Sequence, residues 1–230
     1  IRGESPLILK RSDAYIGVLI DDLVTKGTAE PYRMFTSRAE YRLHLREDNA
    51  DLRLRAMGYE VGLVKEEDYR ILLEKKAAIE KTFIKISKAK INPTKENNEI
   101  LDRWGSTPLK KETSLQELLR RPEIHYPHLS AFDRDLESHS KEVWEQVEIQ
   151  VKYDGYVRRQ MEQIERFKRL EGVNFPEDFD FRSVIGLSTE VMEKLTKIRP
   201  ISLGQASRIS GVTPAAISIL MINLKKQGHL

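Results

Sequence analysis

Two long segments with helical periodicity constrain the architecture of this chain more than any other feature. Apolar side chains recur at helical spacing in residues 65–87 and again in 141–169, with Lys and Glu between them. Such a stripe buries one face of an α-helix. The inward positions are Tyr69, Leu72, Ile79, Phe83 and Ile86 in the first segment and Val143, Val147, Val151, Ile164 and Phe167 in the second. We therefore expect a mainly α fold whose longest helix is near 141–169, with Gly155 weakening its middle.

Turn-forming residues divide the rest of the chain. They concentrate in 88–108 and 172–180, while three shorter helices are predicted at 188–198, 202–209 and 213–227. The apolar run 14–20 suits either a buried strand or a buried helical turn, and periodicity does not distinguish them. We expect a short α/β stretch in 1–60, a helical domain in 61–182 and a small three-helix bundle in 183–230.

The absence of cysteine excludes disulfides, thiolate metal sites and a cysteine nucleophile. The sequence also lacks G-x-G-x-x-G, P-loop, G-x-S-x-G and H-E-x-x-H motifs. His125 and His128 flank Pro127, so we interpret them as loop residues rather than metal ligands. We expect no complete catalytic site and no metal site. Without an apolar run of roughly 20 residues or a signal peptide, the expected location is the cytoplasm.

Arginines are interspersed with aromatic residues in 32–46. In a strand Arg42, His44 and Arg46 share one face, and in a helix Arg38, Arg42 and Arg46 lie one turn apart. Either geometry, with Arg33 nearby, gives a basic stripe suited to RNA backbone or a cofactor phosphate. The net charge of +3 is too small to attract nucleic acid by itself. The alternative is a surface network in which the arginines pair with Glu40, Glu47, Asp48 and Asp51.

Residues 203–217 have the pattern of a helix-turn-helix, in which Ser207 precedes the turn glycine Gly211 and Pro214 begins the next helix. That helix offers small and apolar residues where base readout needs Arg, Asn or Gln, which favours protein binding over DNA binding. The run 217–224 is apolar almost all round, so it is either fully buried or partly an interface. The predicted partner-binding residues are Arg208, Ala215, Ile219 and Ile222, and further phosphate contacts are predicted at Lys225 and Lys226.

Four stretches together resemble the MnmG/GidA family of tRNA uridine 5-carboxymethylaminomethyl modification enzymes. They are EPYRMFTSRAEYR at 30–42, REDNADLRL at 46–54, VEIQVKYDGY at 147–156 and GQASRISGVTPAAIS at 204–218. The resemblance implies an enzyme that, with the GTPase MnmE, modifies C5 of the wobble uridine using FAD, NADH and a methylene-tetrahydrofolate. It also implies an N-terminal flavin domain with a catalytic cysteine. Because neither feature is present, we expect a C-terminal portion with no bound cofactor and no independent turnover.

The resemblance assigns tRNA docking and recruitment of the GTPase to this portion, and it implies a homodimer for the full-length enzyme. We therefore interpret Arg33, Arg38, Arg42 and Arg46 as tRNA-binding residues and the closing helices as the GTPase-binding surface. Two other interpretations remain open from the sequence. In the first, the chain is a helix-turn-helix-like DNA-binding or scaffolding protein. In the second, its basic stripe forms a wall of the flavin pocket and does not contact RNA.

Overall fold

A computed structural model describes residues 6–25, 27 and 30–229, which are mostly helical. The α-helices are α1 Tyr15–Thr25, α2 Ala50–Glu60, α3 Glu66–Lys88, α4 Lys95–Arg103, α5 Leu115–Leu119, α6 Lys141–Glu171, α7 Thr189–Ile198, α8 Leu203–Ser207 and α9 Pro214–Lys226. Two short strands, β1 Lys90–Ile91 and β2 Thr113–Ser114, pair antiparallel. Short 3-10 helices occupy Thr36–Arg38, Tyr126–Ala131, Arg134–Ser138 and Phe181–Ser183. The mainly α fold predicted from periodicity is confirmed.

The long helices follow their apolar stripes closely. Helices α3 and α6 begin and end within two residues of the predicted segments 65–87 and 141–169. The run 14–20, for which strand and helix were both open, is part of α1. Within 1–60 the described residues form helices and turns without a strand, so the expected α/β stretch is helical there.

The chain divides into two compact units. The central unit is Arg46–Arg158, and the terminal unit combines Ile1–Leu45 with Arg159–Leu230. This division differs from the predicted segments 1–60, 61–182 and 183–230. One physical reason is that Ile164 packs with Val18, Tyr41 and Leu45, which joins the early residues to the segment after Arg158. The other is that apolar side chains in 170–181 pack into the core of the C-terminal bundle.

The core of the central unit forms around α3, α5 and the first half of α6. Helix α3 buries one side through Leu72, Ile79 and Ile86, as its stripe predicts. Helix α5 begins with a capping box, in which Ser114 Oγ accepts from the Glu117 amide and the Glu117 carboxylate accepts from the Ser114 amide. The other buried apolar residues of this core include Leu101, Leu115, Leu118, Leu119, Ile124, Leu129, Leu136, Val143, Val147 and Val151.

The terminal unit has two apolar clusters. The smaller contains Val18 of α1 and Ile164 of α6, with Ala39, Tyr41 and Leu45. The larger is the core of α7, α8 and α9, together with Phe175, Phe179 and Phe181 from the preceding segment. Each of these helices is capped by a hydroxyl side chain that accepts a backbone N–H, at Ser188, Ser202 and Thr213 respectively. The predicted three-helix bundle is therefore present.

Candidate functional site

The arginine segment, residues 31–49, forms turns rather than a strand or an α-helix. The Thr36–Arg38 turn is closed by a hydrogen bond from the Arg38 amide to the Phe35 carbonyl. A second turn follows, in which the Leu45 amide donates to the Tyr41 carbonyl at 2.8 Å. Both geometries predicted for a basic stripe are wrong, because consecutive turns preserve neither the alternation of a strand nor the one-turn spacing of a helix.

Arg33 and Arg42 are two exposed cations of this segment. The structure gives neither side chain an ion pair or a hydrogen bond with any residue in 6–25, 27 and 30–229. A guanidinium carries five N–H donors and stays charged at all physiological pH values. The donors of both residues therefore face solvent and are available to an anionic ligand.

Arg38 has a more defined environment. Its guanidinium lies 4.6 Å from the centre of the Tyr32 ring and 3.7 Å from Asp22 Oδ2. The Tyr32 hydroxyl donates to the same Asp22 oxygen at 2.7 Å. Burial, followed by this hydrogen bond, raises the pKa of Tyr32. Arg38 is thus held over an aromatic face while part of its guanidinium remains exposed.

Arg46 belongs to the central unit and is held by an acid. Its Nε donates to Asp48 Oδ1 at 3.0 Å, and Gln146 Nε2 donates to Asp48 Oδ2 at 2.7 Å. Burial acts to raise the pKa of Asp48, but the hydrogen bonds from Arg46 and Gln146 hold it below the ordinary value. The alternative of pairing with neighbouring acids therefore describes Arg46, whereas it does not describe Arg42.

The sequence did not indicate the role of Arg11, the most buried cation among the described residues of the terminal unit. Only 4% of its surface is exposed. Nη1 lies 2.8 Å from Asp22 Oδ1 and Nη2 lies 2.9 Å from Glu40 Oε1. Nη2 also donates to the Arg38 carbonyl at 3.0 Å, which ties the arginine segment to the start of the chain. Burial opposes the charge of Arg11, but Glu40 and Asp22 together raise its pKa above the ordinary value.

Arg208, a predicted partner-binding residue, lies in the same network. It donates to both carboxylate oxygens of Asp21, at 2.7 and 2.6 Å, and to Glu171 Oε1 at 2.9 Å. Asp21 also accepts from Arg11 at 3.0 Å. Most of the Arg208 guanidinium is thereby covered. The signal in the sequence was the adjacent pair Asp21 and Asp22 beside an apolar run, since buried acids need cations.

The other predicted partner-binding residues lie on the outer side of α9. Ala215 and Ile222 are exposed and Ile219 is half-buried, whereas Ala216, Ile217, Leu220 and Leu224 face the core. Ile222 is 57% exposed, and Ile185, on the loop before α7, is 92% exposed. Ile219 also approaches this loop, because a Cβ built on Gly186 would lie 3.4 Å from Ile219 Cδ1. We name Ile185, Ala215, Ile219 and Ile222 the apolar patch.

The last turn of α9 carries Lys225 and Lys226, whose side chains are exposed and have no ion pair within the described part of the chain. His125 and His128 lie at a 3-10 turn, where His125 Nδ1 is 2.8 Å from Glu148 and the His128 ring stacks on Trp104. Across residues 6–25, 27 and 30–229 no group of three metal-binding side chains occurs. None of the helices described is long and apolar enough to cross a membrane.

Two family models match the chain. The first, described as the "tRNA modifying enzyme MnmG/GidA C-terminal helical domain", covers residues 66–161. The second, the "tRNA modifying enzyme MnmG/GidA C-terminal helical bundle", covers residues 163–230. Together they match well over half of the sequence.

Individual relatives agree with these matches. The tRNA uridine 5-carboxymethylaminomethyl modification enzyme MnmG of Clostridium kluyveri is 55% identical over 227 residues, covering 99% of this chain and 36% of the relative. The enzyme of the same name from Clostridium novyi is 54% identical over 233 residues, covering 100% and 37%. The structure of Aquifex aeolicus GidA in the form II crystal has a TM-score of 0.78 at 39% identity, covering 96% of this chain and 35% of that one. The chain thus spans just over a third of these relatives.

Proposed function

The chain belongs to the MnmG/GidA family of tRNA-modifying enzymes, and on that premise we propose that it docks tRNA and a partner GTPase for an enzyme that modifies the wobble uridine. The activity of the whole enzyme, its cytoplasmic location and its homodimeric state are part of this proposal. The observation that carries it is the exposure of Arg33 and Arg42, without partners among the described residues, on a segment that a buried ion-pair network holds in place.

The arginine segment supports RNA docking because two of its charges, on Arg33 and Arg42, have no acidic partner among the described residues. Arg33 and Arg42 offer whole guanidinium groups to phosphate oxygens, which such groups bind with two parallel hydrogen bonds. Arg38 offers the part of its guanidinium that Asp22 and Tyr32 leave exposed. Arg46 contributes less to RNA binding in this proposal, because its guanidinium is already paired with the Asp48 carboxylate. Lys225 and Lys226 add two further phosphate contacts.

The buried network acts as a support for the docking segment. Arg11 donates to the Arg38 carbonyl and to the Glu40 carboxylate, so it fixes the backbone between Arg38 and Arg42 from inside. A segment that is already ordered loses less conformational entropy when it binds. Arg11 and Arg208 are therefore positioning residues in this proposal, although Arg208 was predicted to contact the partner.

The apolar patch is the proposed docking surface for the partner GTPase. An exposed apolar area is typical of a surface that binds another protein. The patch is bordered by Lys225 and Lys226 on α9, which favours a partner surface with an apolar centre and acidic residues at its edge.

The described residues do not fit the binding of FAD. A dinucleotide site of this class requires a glycine-rich turn between a strand and a helix, and the only strands described are the two-residue β1 and β2. We therefore assign FAD, NADH and the chemical step to the full-length enzyme and derive no step through them. Isolated, the 230 residues are expected to bind tRNA without modifying it.

The test is a titration of fluorescently labelled, unmodified tRNA with the chain, repeated at several salt concentrations. Double charge reversal, Arg33→Glu with Arg42→Glu, should weaken binding at least about tenfold and flatten the dependence of log affinity on log salt by about two. Binding that survives this change would favour the flavin-wall interpretation. A preference for duplex DNA over tRNA would instead support a helix-turn-helix DNA-binding protein.

A further inference from the structure

Phe35 is the one phenylalanine that the fold leaves exposed to water. All seven phenylalanines are among the described residues, and the other six are buried or half-buried. Phe35 exposes 53% of its surface. Within residues 6–25, 27 and 30–229 it joins none of the three apolar clusters and has no ring contact. Exposure of a phenyl ring is unfavourable, and packing within the described residues does not explain an aromatic ring at this position.

The backbone that carries this ring is held by hydrogen bonds. The Phe35 amide donates to the Arg33 carbonyl at 3.1 Å, and the Phe35 carbonyl accepts from the Arg38 amide at 3.0 Å. The Arg11 guanidinium donates to the Arg38 carbonyl at 3.0 Å, which ties the turn to the buried network. The position of Phe35 is therefore ordered before a ligand binds, so less conformational entropy is lost on binding.

The two residues that are hydrogen-bonded to the Phe35 backbone are cationic. Arg33 has no acidic partner among the described residues. The Arg38 guanidinium lies 4.6 Å from the centre of the Tyr32 ring, so the same turn already contains one contact between a cation and an aromatic ring. An exposed ring on a turn with two arginines suits a ligand that combines a flat apolar face with negative charge. A nucleotide has both properties.

We propose that Phe35 is a stacking residue for an unpaired base of the RNA substrate, carried by the same turn as Arg33. Single-stranded nucleic acid is commonly bound by aromatic rings that stack on bases, together with cations that bind the phosphates. The inference rests on the proposed function for the identity of the ligand. It goes further because it assigns contact with a base, as distinct from contact with phosphate, to one side chain.

The experiment measures the affinity of the chain for unmodified tRNA and for a blunt RNA duplex at several salt concentrations. Phe35→Leu keeps an apolar side chain but removes the ring, so tRNA binding should weaken about tenfold. The salt dependence should stay unchanged, because a neutral contact releases no counterions. Affinity for the duplex should change by less than about twofold, since its paired bases offer no free face to the ring.

Phe35→Trp gives a direct signal of stacking. The larger ring should keep the affinity for tRNA within about threefold of the parent chain, and RNA binding should quench the fluorescence of the added indole. The parent chain contains two tryptophans and provides the background signal. Tyr153→Leu is the matched control, because Tyr153 is 46% exposed and lies outside the arginine segment. This variant should leave the affinity for tRNA unchanged.

The outcomes separate this inference from the proposed function. If Arg33→Glu with Arg42→Glu weakens tRNA binding while Phe35→Leu does not, base stacking is wrong and RNA docking stands. If neither variant alters binding, both are wrong. A Phe35→Leu variant with a lower melting temperature, or with equal losses for tRNA and duplex, would overturn the inference. Loss of partner GTPase binding with unchanged tRNA affinity would place the ring in a protein contact and would also overturn it.

Discussion

Arg208 donates two hydrogen bonds to Asp21, from Nε at 2.7 Å and from Nη2 at 2.6 Å, although 187 positions separate the two residues. Both side chains are largely buried, and the paired geometry matches the fork of the guanidinium to the two carboxylate oxygens. This pair joins the C-terminal end of α8 to α1 within the terminal unit.

Removing the cation of this pair should destabilise the protein. Arg208→Met removes the nearest cation from Asp21 and Glu171, which keep only Arg11 at 3.0 Å and Lys10 at 3.6 Å. We therefore expect the free energy of unfolding to fall by about 2 kcal/mol. Urea denaturation measures this change. Lys168→Met is the matched control, because its pair with Glu165 is solvent-exposed and should contribute less than about 0.5 kcal/mol. Equal effects of both substitutions would contradict a stabilising role for Arg208.

Arg42 and Arg46 should respond differently to alanine substitution. Arg42→Ala removes a charge that has no partner within the described chain, so it should reduce the salt dependence of tRNA binding by about one and leave the melting temperature unchanged. Arg46→Ala deprives Asp48 of its ion pair and should lower the melting temperature. Binding titrations and thermal unfolding of both variants check this. If only the Arg42 variant lost stability, the assignment of RNA binding to Arg42 and of a stabilising ion pair to Arg46 would be wrong.

Stability should fall at alkaline pH through buried tyrosines. Burial raises the pKa of Tyr126 from 10.0 to about 12 and, with Glu40 and Glu171, the pKa of Tyr41 to about 12. A folded-state pKa above the unfolded value gives stability that is complete below pH 10.0 and is lost as pH rises towards 12. Urea unfolding measured across this range should show the decline.

Tyr126→Phe isolates one part of that decline. Thr82 donates to the Ala78 carbonyl, so it accepts from His139 Nε2, and His139 Nδ1 is left to accept from the Tyr126 hydroxyl at 3.0 Å. The phenylalanine variant should lose about 1 kcal/mol at neutral pH, because Nδ1 loses its donor. Its alkaline decline should be shallower than that of the parent chain. An unchanged slope would show that Tyr126 does not titrate in this range.

The apolar patch predicts how the partner GTPase binds. Ile222→Asp places a charge on an exposed side chain of the patch and should abolish complex formation, measured by analytical ultracentrifugation, while the melting temperature stays near that of the parent chain. Ile201→Asp alters another exposed isoleucine of the C-terminal bundle and serves as the control. Loss of binding in both variants would point to a general effect of charge rather than to the patch.

The sequence predicted the helices well where a local pattern determines them. Helices α3 and α6 follow stripes that recur every turn, and α9 begins at Pro214 after the Thr213 cap, as the local signals indicate. Such signals act within a few residues and need no knowledge of the rest of the fold.

The conformation of the arginine segment could not be predicted in this way. Arg11 fixes it by binding Glu40, 29 positions away, and the Arg38 carbonyl, 27 positions away. Contacts of this range leave no periodic trace in the sequence, so strand and helix were both reasonable and neither formed. The same limitation concealed the burial of Arg208, since its exposure depends on Asp21 and Glu171 rather than on α8.

The terminal unit is assembled from two stretches that the central unit separates, and this affects the order in which its contacts form during synthesis. The central unit is one continuous stretch, so it can fold as soon as Arg158 leaves the exit tunnel. Asp21 must wait until Arg208 has been synthesised, 187 positions later. During that interval Arg11 can already hold Asp21 and the arginine segment, whereas the two hydrogen bonds from Arg208 to Asp21 form last.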